Sequence, residues 1–389
     1  MSAPLPRRLV LDLERVGSRE VEDWVESGAP RTDARLTLRG GPVLALPEHV
    51  RQAIARALDE DDRRPSRGLP ELRAALARLL QQETAAEVDP ERELLVTNGA
   101  MHALNIAFRT LLEPGDRVLI PSPNFFFEGL IRLAGGVPVY VPCREERAWR
   151  WDLEELEAVA EQGVKLFVVC NPTNPTGFLP SREELLAVAG MAERMGFFVL
   201  ADESYDRFVY DDARFTSLLE LDLAIDRRVV VRSLSKSHAL ANWRVGFLVA
   251  SPLVTEAFTK VLEWECLHCA YVPQRVAQAA LEGPQDWLAG VVERYQRNRD
   301  RLLAAVAESE WLSCARPAAG PFLFLNMEGA EAAAGREGAE LLLEAGVPTV
   351  PGRYFRSPGH VRLPFGADGA TLERLEQLLA AFRPARAGR

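Results

Sequence analysis

The stretch that decides the fold is Ser233-Leu-Ser-Lys236-Ser-His-Ala-Leu-Ala-Asn-Trp-Arg244-Val-Gly-Phe247, which follows the apolar run Arg227-Arg-Val-Val-Val-Arg232. The consecutive valines predict a buried strand, so Lys236 lies just beyond a strand end. Two serine hydroxyls and Arg244 accompany this lysine. An amine beside an anion-binding group indicates covalent chemistry, although the stretch alone fits a loop lysine of an ordinary α/β protein equally well.

Apolar runs alternate with helical patterns over the first two thirds of the chain. Near-continuous apolar strands between helices are typical of a mostly parallel sheet that helices cover on both faces. In such sheets ligands bind outside the carboxyl ends of the strands. Beyond Ser251 long helices and two short strands indicate a second, smaller α+β domain. The predicted strands are 93–97, 117–120, 137–141, 165–170, 197–201, 229–231, 317–326 and 360–363.

Three helices are predicted in particular detail. Ser181 with Glu184 three residues on is the pattern of a capping box, so a helix is expected to begin there. Single helices are expected at about 333–345 and 370–382, in the smaller domain.

Composition excludes several classes of protein. The chain has 389 residues, of which 48% are hydrophobic and 26% charged, as in globular proteins, and no apolar run approaches the roughly 18 residues of a membrane span. A net charge of −10 argues against a nucleic-acid partner. Acidic residues interrupt any signal-peptide core near the N-terminus, so the expected location is the cytoplasm.

The five cysteines do not suggest a disulfide framework, because their number is odd and the chain is long. Cys266-Leu-His-Cys269 has the spacing of metal ligands, but no second Cys/His pair follows at finger distance. Structural or incidental cysteines are therefore favoured, and no metal site is predicted.

The predicted strand ends deliver a set of groups that matches the needs of pyridoxal phosphate. Lys236 provides the amine for a Schiff base, and Asp202 pairs with the pyridine nitrogen. Asn174 and Tyr205 are placed to bond the ring phenolate, and Phe125 to stack on the ring. A helix N-terminus and a guanidinium suit the phosphate. The candidate phosphate ligands are Arg244, Ser233 and the turn of Gly99, Ala100 and Met101, and Ser235 is a further candidate cofactor contact.

Three motifs in order and spacing resemble the class I/II aminotransferases related to aspartate aminotransferase, which are fold type I pyridoxal-phosphate enzymes. They are Asn171-Pro-Thr-Asn-Pro-Thr-Gly177, Ala201-Asp-Glu-Ser-Tyr205, and Ser233-Leu-Ser-Lys236 through Arg244-Val-Gly246. The resemblance implies a seven-stranded, mostly parallel sheet sandwiched by helices in a large domain at 46–285. It also implies a small α+β domain formed by 9–45 and 286–389.

The same resemblance implies a homodimer and assigns substrate contacts to Gly41, Asn174 and Arg362. Arg362 is expected to bind the substrate α-carboxylate, and the backbone at Gly41 to approach the substrate. Two positions depart from the family pattern: Arg63 stands where a tyrosine is usual, and Phe125 stacks without a hydroxyl.

The predicted reaction is transfer of an amino group between an L-amino acid and a 2-oxo acid, with Lys236 as tether and general base. A lyase, cyclase or oxidase acting on an amino acid in a specialised pathway uses the same cofactor site, and the motifs do not separate these reactions. The sequence does not indicate which amino acid is the donor, which 2-oxo acid is the acceptor, or which pathway the reaction serves.

Overall fold

A seven-stranded sheet organises residues 94–250 of the protein, seen in a computed structural model that describes residues 36, 38, 40–60 and 65–384. The strands are β1 Leu94–Thr97, β2 Arg117–Ser122, β3 Val137–Pro142, β4 Leu166–Cys170, β5 Phe198–Asp202, β6 Arg228–Ser233 and β7 Gly246–Ala250. Their spatial order is β1-β7-β6-β5-β4-β2-β3, and only β7 runs antiparallel to its neighbours. The mostly parallel sheet is confirmed, but the sequence pattern did not single out β7 as a strand.

Helices flank these strands. Along the chain, the helices that precede β1 or lie between the strands of the large sheet are α1 Glu48–Ala57, α2 Pro70–Thr84, α3 Ala100–Leu111, α4 Phe127–Leu133, α5 Leu153–Ala160, α6 Arg182–Met195 and α7 Leu234–Ser237. After it come α8 Pro252–Cys266, α9 Tyr271–Glu282, α10 Val291–Ala307, α11 Glu328–Ala334, α12 Gly338–Glu344 and α13 Gly369–Ala380. The capping box before α6 is confirmed, since Ser181 and Glu184 each bond the other's backbone N–H.

The central strands are buried on both faces, as a sheet covered by helices requires. Along β4, Phe167 and Val169 belong to one apolar cluster, whereas Leu166 and Val168 belong to another on the opposite face. All four side chains are at most 1% exposed. Because apolar side chains cover both faces of the sheet, polar side chains are expected to cluster at the edge where the strands end.

A second, antiparallel sheet lies in the C-terminal part of the chain. Its strands are β8 Phe322–Asn326, β9 Val350–Pro351 and β10 His360–Pro364, in the order β8-β10-β9. A third apolar cluster joins this sheet to α10 and α13, and includes Phe208 and Tyr210 from the loop after β5. The domain boundaries at 46 and 286 stay a prediction.

Two details of this part differ from expectation. The helix predicted at about 333–345 is found only over 338–344, as α12. The preceding α11 ends at Ala334, and Gly335, with φ of +66°, provides the left-handed helix end between the two. The strand predicted at 317–326 begins only at Phe322. The helix expected at 370–382 is confirmed as α13.

Candidate active site

Strand register brings the predicted groups to one edge of the large sheet. Asp202, the last residue of β5, is in register with Cys170, the last residue of β4. Ser233, at the end of β6, pairs with Gly246, and Gly246 pairs with Thr97 at the end of β1. The segments that carry Asn174, Tyr205, Lys236 and the start of α3 therefore leave the sheet along the same edge.

Lys236 lies in the short helix α7, directly after β6. Ser233 caps this helix: its Oγ accepts from the Ser235 N–H and donates to the Ser235 hydroxyl at 2.8 Å. Burial, together with the charges of Arg362 and Arg244, lowers the pKa of Lys236 to about 8. A substantial fraction of this amine is therefore uncharged, and nucleophilic, near pH 8.

The backbone of Gly41 lies against the Lys236 side chain. A Cβ atom at this glycine would stand 2.6 Å from Cδ of Lys236 and 3.2 Å from its Nζ. No side chain fits there without displacing the lysine. The structure therefore places Gly41 beside the Lys236 amine, and its predicted approach to the substrate stays a prediction.

Asp202 is a buried carboxylate, with 6% of its surface exposed. Burial raises its pKa to about 6 although the hydroxyl and the backbone N–H of Ser204 both donate to Oδ1, at 2.5 and 3.1 Å. The carboxyl group is thus ionised at neutral pH. Among the described residues no hydrogen bond reaches Oδ2, so one oxygen is available for a cationic N–H.

Arg362 is a buried cation with few polar partners. One guanidinium nitrogen donates to Oδ1 of Asn174 at 3.0 Å, while Nε has no partner among the described residues. The aromatic rings of Phe322 and Phe355 lie 4.4 and 4.9 Å from the guanidinium carbon. Burial lowers the pKa of Arg362 to about 10. Sequence reasoning found the arginine and its amide partner but missed both rings.

Aromatic side chains continue around this arginine. Tyr205 meets the Phe322 ring edge to face at 5.6 Å, and burial raises the pKa of its phenol. Phe126 stacks on Phe355 at 5.0 Å and also contacts Phe125 at 5.0 Å. Phe125 and Tyr205 therefore belong to the aromatic surroundings of Arg362.

Gly99, Ala100 and Met101 lie at the N-terminus of α3, and these three residues are called the anion cradle below. The N–H groups in the first turn of a helix have no intrahelical acceptor and favour an anion. Gly99 has φ +81°, and a Cβ there would lie 2.4 Å from a terminal nitrogen of Arg244. The exposed Arg244 guanidinium thus lies directly against Gly99. The binding of a phosphate by these groups stays a prediction.

Beneath this edge lies a charge network that sequence reasoning did not identify. Glu203 is fully buried and accepts from Arg232 at 2.9 Å and from the Ser217 hydroxyl at 2.8 Å. Arg232 also donates to Glu83 and Asp206, at 2.7 and 3.1 Å. The available signal was Arg232, a charged residue near the end of an apolar strand, but its three carboxylate partners lie 26 or more residues away in the sequence.

A sequence profile described as "Aminotransferase class I and II" matches residues 38–382. The chain belongs to this aminotransferase family. The resemblance inferred from the three motifs is confirmed, and so is the expectation of an enzyme. An aspartate aminotransferase of Geobacillus stearothermophilus is 30% identical over 357 residues, which cover 90% of this chain and 91% of that protein.

Solved structures agree with this assignment. The aminotransferase resembles an aspartate aminotransferase from Thermus thermophilus with maleate, at a TM-score of 0.87 and 30% identity, with 98% of this chain and 100% of the other covered. An aromatic aminotransferase from Pyrococcus horikoshii OT3 gives 0.83 and 29%, with coverages of 92% and 97%. The fold is therefore that of the fold type I enzymes. No helix in the described ranges is long and apolar enough to cross a membrane.

Proposed function

We propose that this aminotransferase uses pyridoxal 5'-phosphate attached to Lys236 to move an amino group between an L-amino acid and a 2-oxo acid. The observation that carries the proposal is the position of Lys236. Its amine is largely buried, has a lowered pKa, and lies at the sheet edge that also carries Asp202 and the anion cradle.

The residues present fit this cofactor. Oδ2 of Asp202 accepts no hydrogen bond from the described residues and suits a protonated pyridine nitrogen, because a carboxylate with a pKa of about 6 is mostly ionised at neutral pH. The anion cradle and Arg244 suit a phosphate, and Gly99 leaves no space there for a side chain. The proposed cofactor contacts are Gly99, Ala100, Met101, Phe125, Asn174, Asp202, Tyr205, Ser233, Ser235, Lys236 and Arg244.

When bound, the cofactor supplies an aldehyde that combines with amines and an electron-poor ring that withdraws electrons from the substrate α-carbon. The protein provides the groups around it. Arg362 binds the α-carboxylate through Nε and a terminal nitrogen, and Asn174 holds the guanidinium in place. Lys236 Nζ accepts the proton that leaves the α-carbon, and in the return half of the reaction it gives a proton back.

The proposal does not name the side chain of the amino-acid substrate. The relatives include proteins described as acting on aspartate and on aromatic amino acids. Arg353 and Arg356, which flank the Phe355 segment, are ion-paired with Glu337 and Glu128. Neither is a free cation for a distal carboxylate, so the proposal is limited to an L-amino acid and a 2-oxo acid. Arg63 lies outside the described residues.

A homodimer in the cytoplasm, with a large domain at 46–285, completes the proposal. Family membership supports the dimer, and the two separate sheets support the division into domains. Light scattering on the purified protein measures the assembly directly.

The lysine content of the chain allows a sharp test of the attachment site. The sequence contains three lysines, Lys165, Lys236 and Lys260, and the other two are exposed. We expect borohydride reduction of the cofactor-loaded protein to fix the cofactor mass on the peptide that contains Lys236. Lys236→Ala should lose this label and slow the amino-acid half-reaction by at least about 10²–10⁴-fold, the usual contribution of a general base.

Lys165→Ala and Lys260→Ala are the matched controls and should label and react like the parent protein. A label on Lys165 or Lys260, or an unlabelled parent protein, contradicts the attachment. Formation of a 2-oxo acid without release of ammonia or carbon dioxide is expected for transamination. Release of ammonia or carbon dioxide would instead support the lyase or oxidase alternative, which no observed contact favours.

A further inference from the structure

The cysteine pair with metal-ligand spacing acquires a third partner in the folded chain. A ring nitrogen of His102 and the Sγ atoms of Cys266 and Cys269 all lie within 4.8 Å of one another. His102 is in the first turn of α3, Cys266 ends α8, and Cys269 lies just before α9. Three separate elements therefore converge on one point, which the sequence spacing alone did not reveal.

Neighbouring groups prepare the imidazole to act as a ligand. One ring nitrogen of His102, Nδ1, accepts the backbone N–H of Asn98 at 3.1 Å, and the other lies 3.0 Å from a carboxylate oxygen of Glu265. The N–H only donates and the carboxylate only accepts, so the neutral ring carries its proton on Nε2, and Nδ1 is the nitrogen with a lone pair for a metal ion. An ion at Nδ1 displaces the Asn98 N–H from that lone pair. A carboxylate that holds a histidine in this way is the usual outer partner of a metal-bound imidazole, because it fixes the tautomer and raises the basicity of the ring.

The sulfur atoms have weak partners that an ion is able to replace. The side-chain amide of Asn98 lies 3.8 Å from the Cys266 sulfur, and the thiol of Cys269 lies 3.4 Å from the carbonyl oxygen of Val96. Cys269 is 3% exposed, whereas His102 and Cys266 are half-buried. The cluster is therefore anchored in the protein on one side and open to solvent on the other.

The backbone between the two cysteines is strained. Leu267 has φ +61° and ψ −52°, a conformation that a leucine side chain rarely adopts, and the His268 N–H donates to the Cys266 carbonyl at 2.6 Å. This tight turn reverses the chain and brings the two thiols together. Backbone strain of this kind costs about 1–3 kcal/mol and persists where the surrounding structure requires it.

We propose that His102, Cys266 and Cys269 form a binding site for Zn²⁺, separate from the residues assigned to amino-group transfer. Thiolate and imidazole are the ligands that Zn²⁺ prefers, whereas Mg²⁺ and Ca²⁺ take oxygen. In a tetrahedral site, zinc–ligand bonds of about 2.0–2.3 Å place the donor atoms roughly 3.5–3.8 Å apart. The observed separations are at most 4.8 Å, so closing around the ion shortens each donor–donor distance by about 1.3 Å or less. Water completes the fourth position.

The charges and the protons balance when Zn²⁺ binds to the two cysteines and the histidine. The two thiols each release a proton as the ion binds, so Zn²⁺ with two thiolates and a neutral imidazole carries no net charge. The ion then connects the start of α3 to the segment between α8 and α9. Because His102 follows the anion cradle directly, zinc would fix the position of the cradle.

The test uses the reduced full-length chain, treated with a chelator and carrying no affinity tag. Titration with Zn²⁺ against a chromophoric competitor should give one ion per chain, and Co²⁺ should give the intense absorption of thiolate coordination. Cys266→Ser and His102→Ala should weaken zinc binding by at least about 100-fold, and Glu265→Gln by about 10–100-fold, as for other outer partners.

Cys314→Ser and His268→Ala are the matched controls and should bind zinc like the parent chain. Because Glu265→Gln is conservative, it keeps the test decisive if a ligand variant folds poorly, which circular dichroism reports. Absence of stoichiometric zinc, equal binding by Cys266→Ser, or dependence on His268 would overturn the proposal. A Cys266–Cys269 disulfide in the untreated protein, with no zinc binding after reduction, would overturn it in favour of a redox pair.

Discussion

Two arginines, Arg232 and Arg362, are buried to nearly the same degree but in opposite electrostatic environments. Arg232 is 3% exposed and Arg362 is 8% exposed. Burial disfavours the charge of Arg232, but the carboxylates of Glu203, Asp206 and Glu83 outweigh it and raise the pKa. Arg362 has one amide partner and two aromatic rings, so burial dominates and its pKa falls to about 10.

The presence or absence of counter-charges distinguishes a structural arginine from one that is suited to bind a ligand. The network of Arg232 holds the ends of β5 and β6 together and has its counter-charges in place. Arg362 lacks a counter-ion among the described residues, and its Nε has no acceptor. A substrate carboxylate would supply both, which supports the proposed binding role of Arg362 and the structural role of Arg232.

The largest expected effect comes from Arg362→Leu. Two charge-assisted hydrogen bonds to the substrate carboxylate are worth about 1.5–3 kcal/mol each, so kcat/KM should fall roughly 10²–10⁴-fold. The free energy of unfolding should stay the same or rise, because an uncompensated buried charge is removed. Steady-state kinetics and urea unfolding measure the two quantities separately.

Arg356→Gln is the control for this variant, since Arg356 is exposed and already paired with Glu128. It should change kcat/KM only a few-fold. An equal loss in both variants, or a strongly destabilised Arg362→Leu, would mean that Arg362 is a structural residue like Arg232.

Arg232→Met should show the opposite pattern. It leaves Glu203 buried without its cation, and removal of one partner from a buried ion pair costs about 3–5 kcal/mol of unfolding free energy. The folded fraction should keep most of its activity, because Arg232 touches none of the residues proposed to contact substrate. Urea unfolding and kinetics corrected for the folded fraction test this.

Arg207→Gln offers a comparison within the same network, because Arg207 also binds Glu83 but is partly exposed. Its loss should cost at most about 1 kcal/mol. If Arg232→Met were as mild as Arg207→Gln, the network would not be the support that its geometry indicates.

The smallest effect is a shift in pH dependence. In the cofactor-free protein, capture of pyridoxal phosphate requires uncharged Lys236, so the rate should rise with pH and reach half its maximum near the pKa of about 8. The positive charge of Arg362 lowers that pKa, so Arg362→Leu should move the midpoint to higher pH. Arg232→Met should leave it in place. A midpoint that moves down, or moves equally in both variants, contradicts the proposed role of Arg362.

Local patterns were sufficient to predict much of the fold and the strand-end residues. The strands ending near Cys170 and Asp202 are continuous apolar runs, and the residue that follows such a run is delivered to the sheet edge by geometry alone. The helix after Ser181 carries its own start signal. These features depend on residues a few positions apart, so a single sequence contains them.

What the sequence did not predict depends on contacts between distant segments. The aromatic rings on Arg362 come from two separate segments, at Phe322 and Phe355, and Glu83 reaches Arg232 from an early helix. His102 joins Cys266 and Cys269 only after the chain has folded. No periodicity encodes such pairings, because each is set by packing across the molecule.

The scarcity of lysine has a practical consequence for handling this protein. Pyridoxal phosphate is an aldehyde that condenses with any accessible uncharged amine, whereas guanidinium groups stay protonated and unreactive. Of 46 basic residues three are lysines, so the remaining 43 are arginines. With so few competing amines, excess pyridoxal phosphate should bind at close to one equivalent per chain. Little of it should react with other lysines and obscure the stoichiometry.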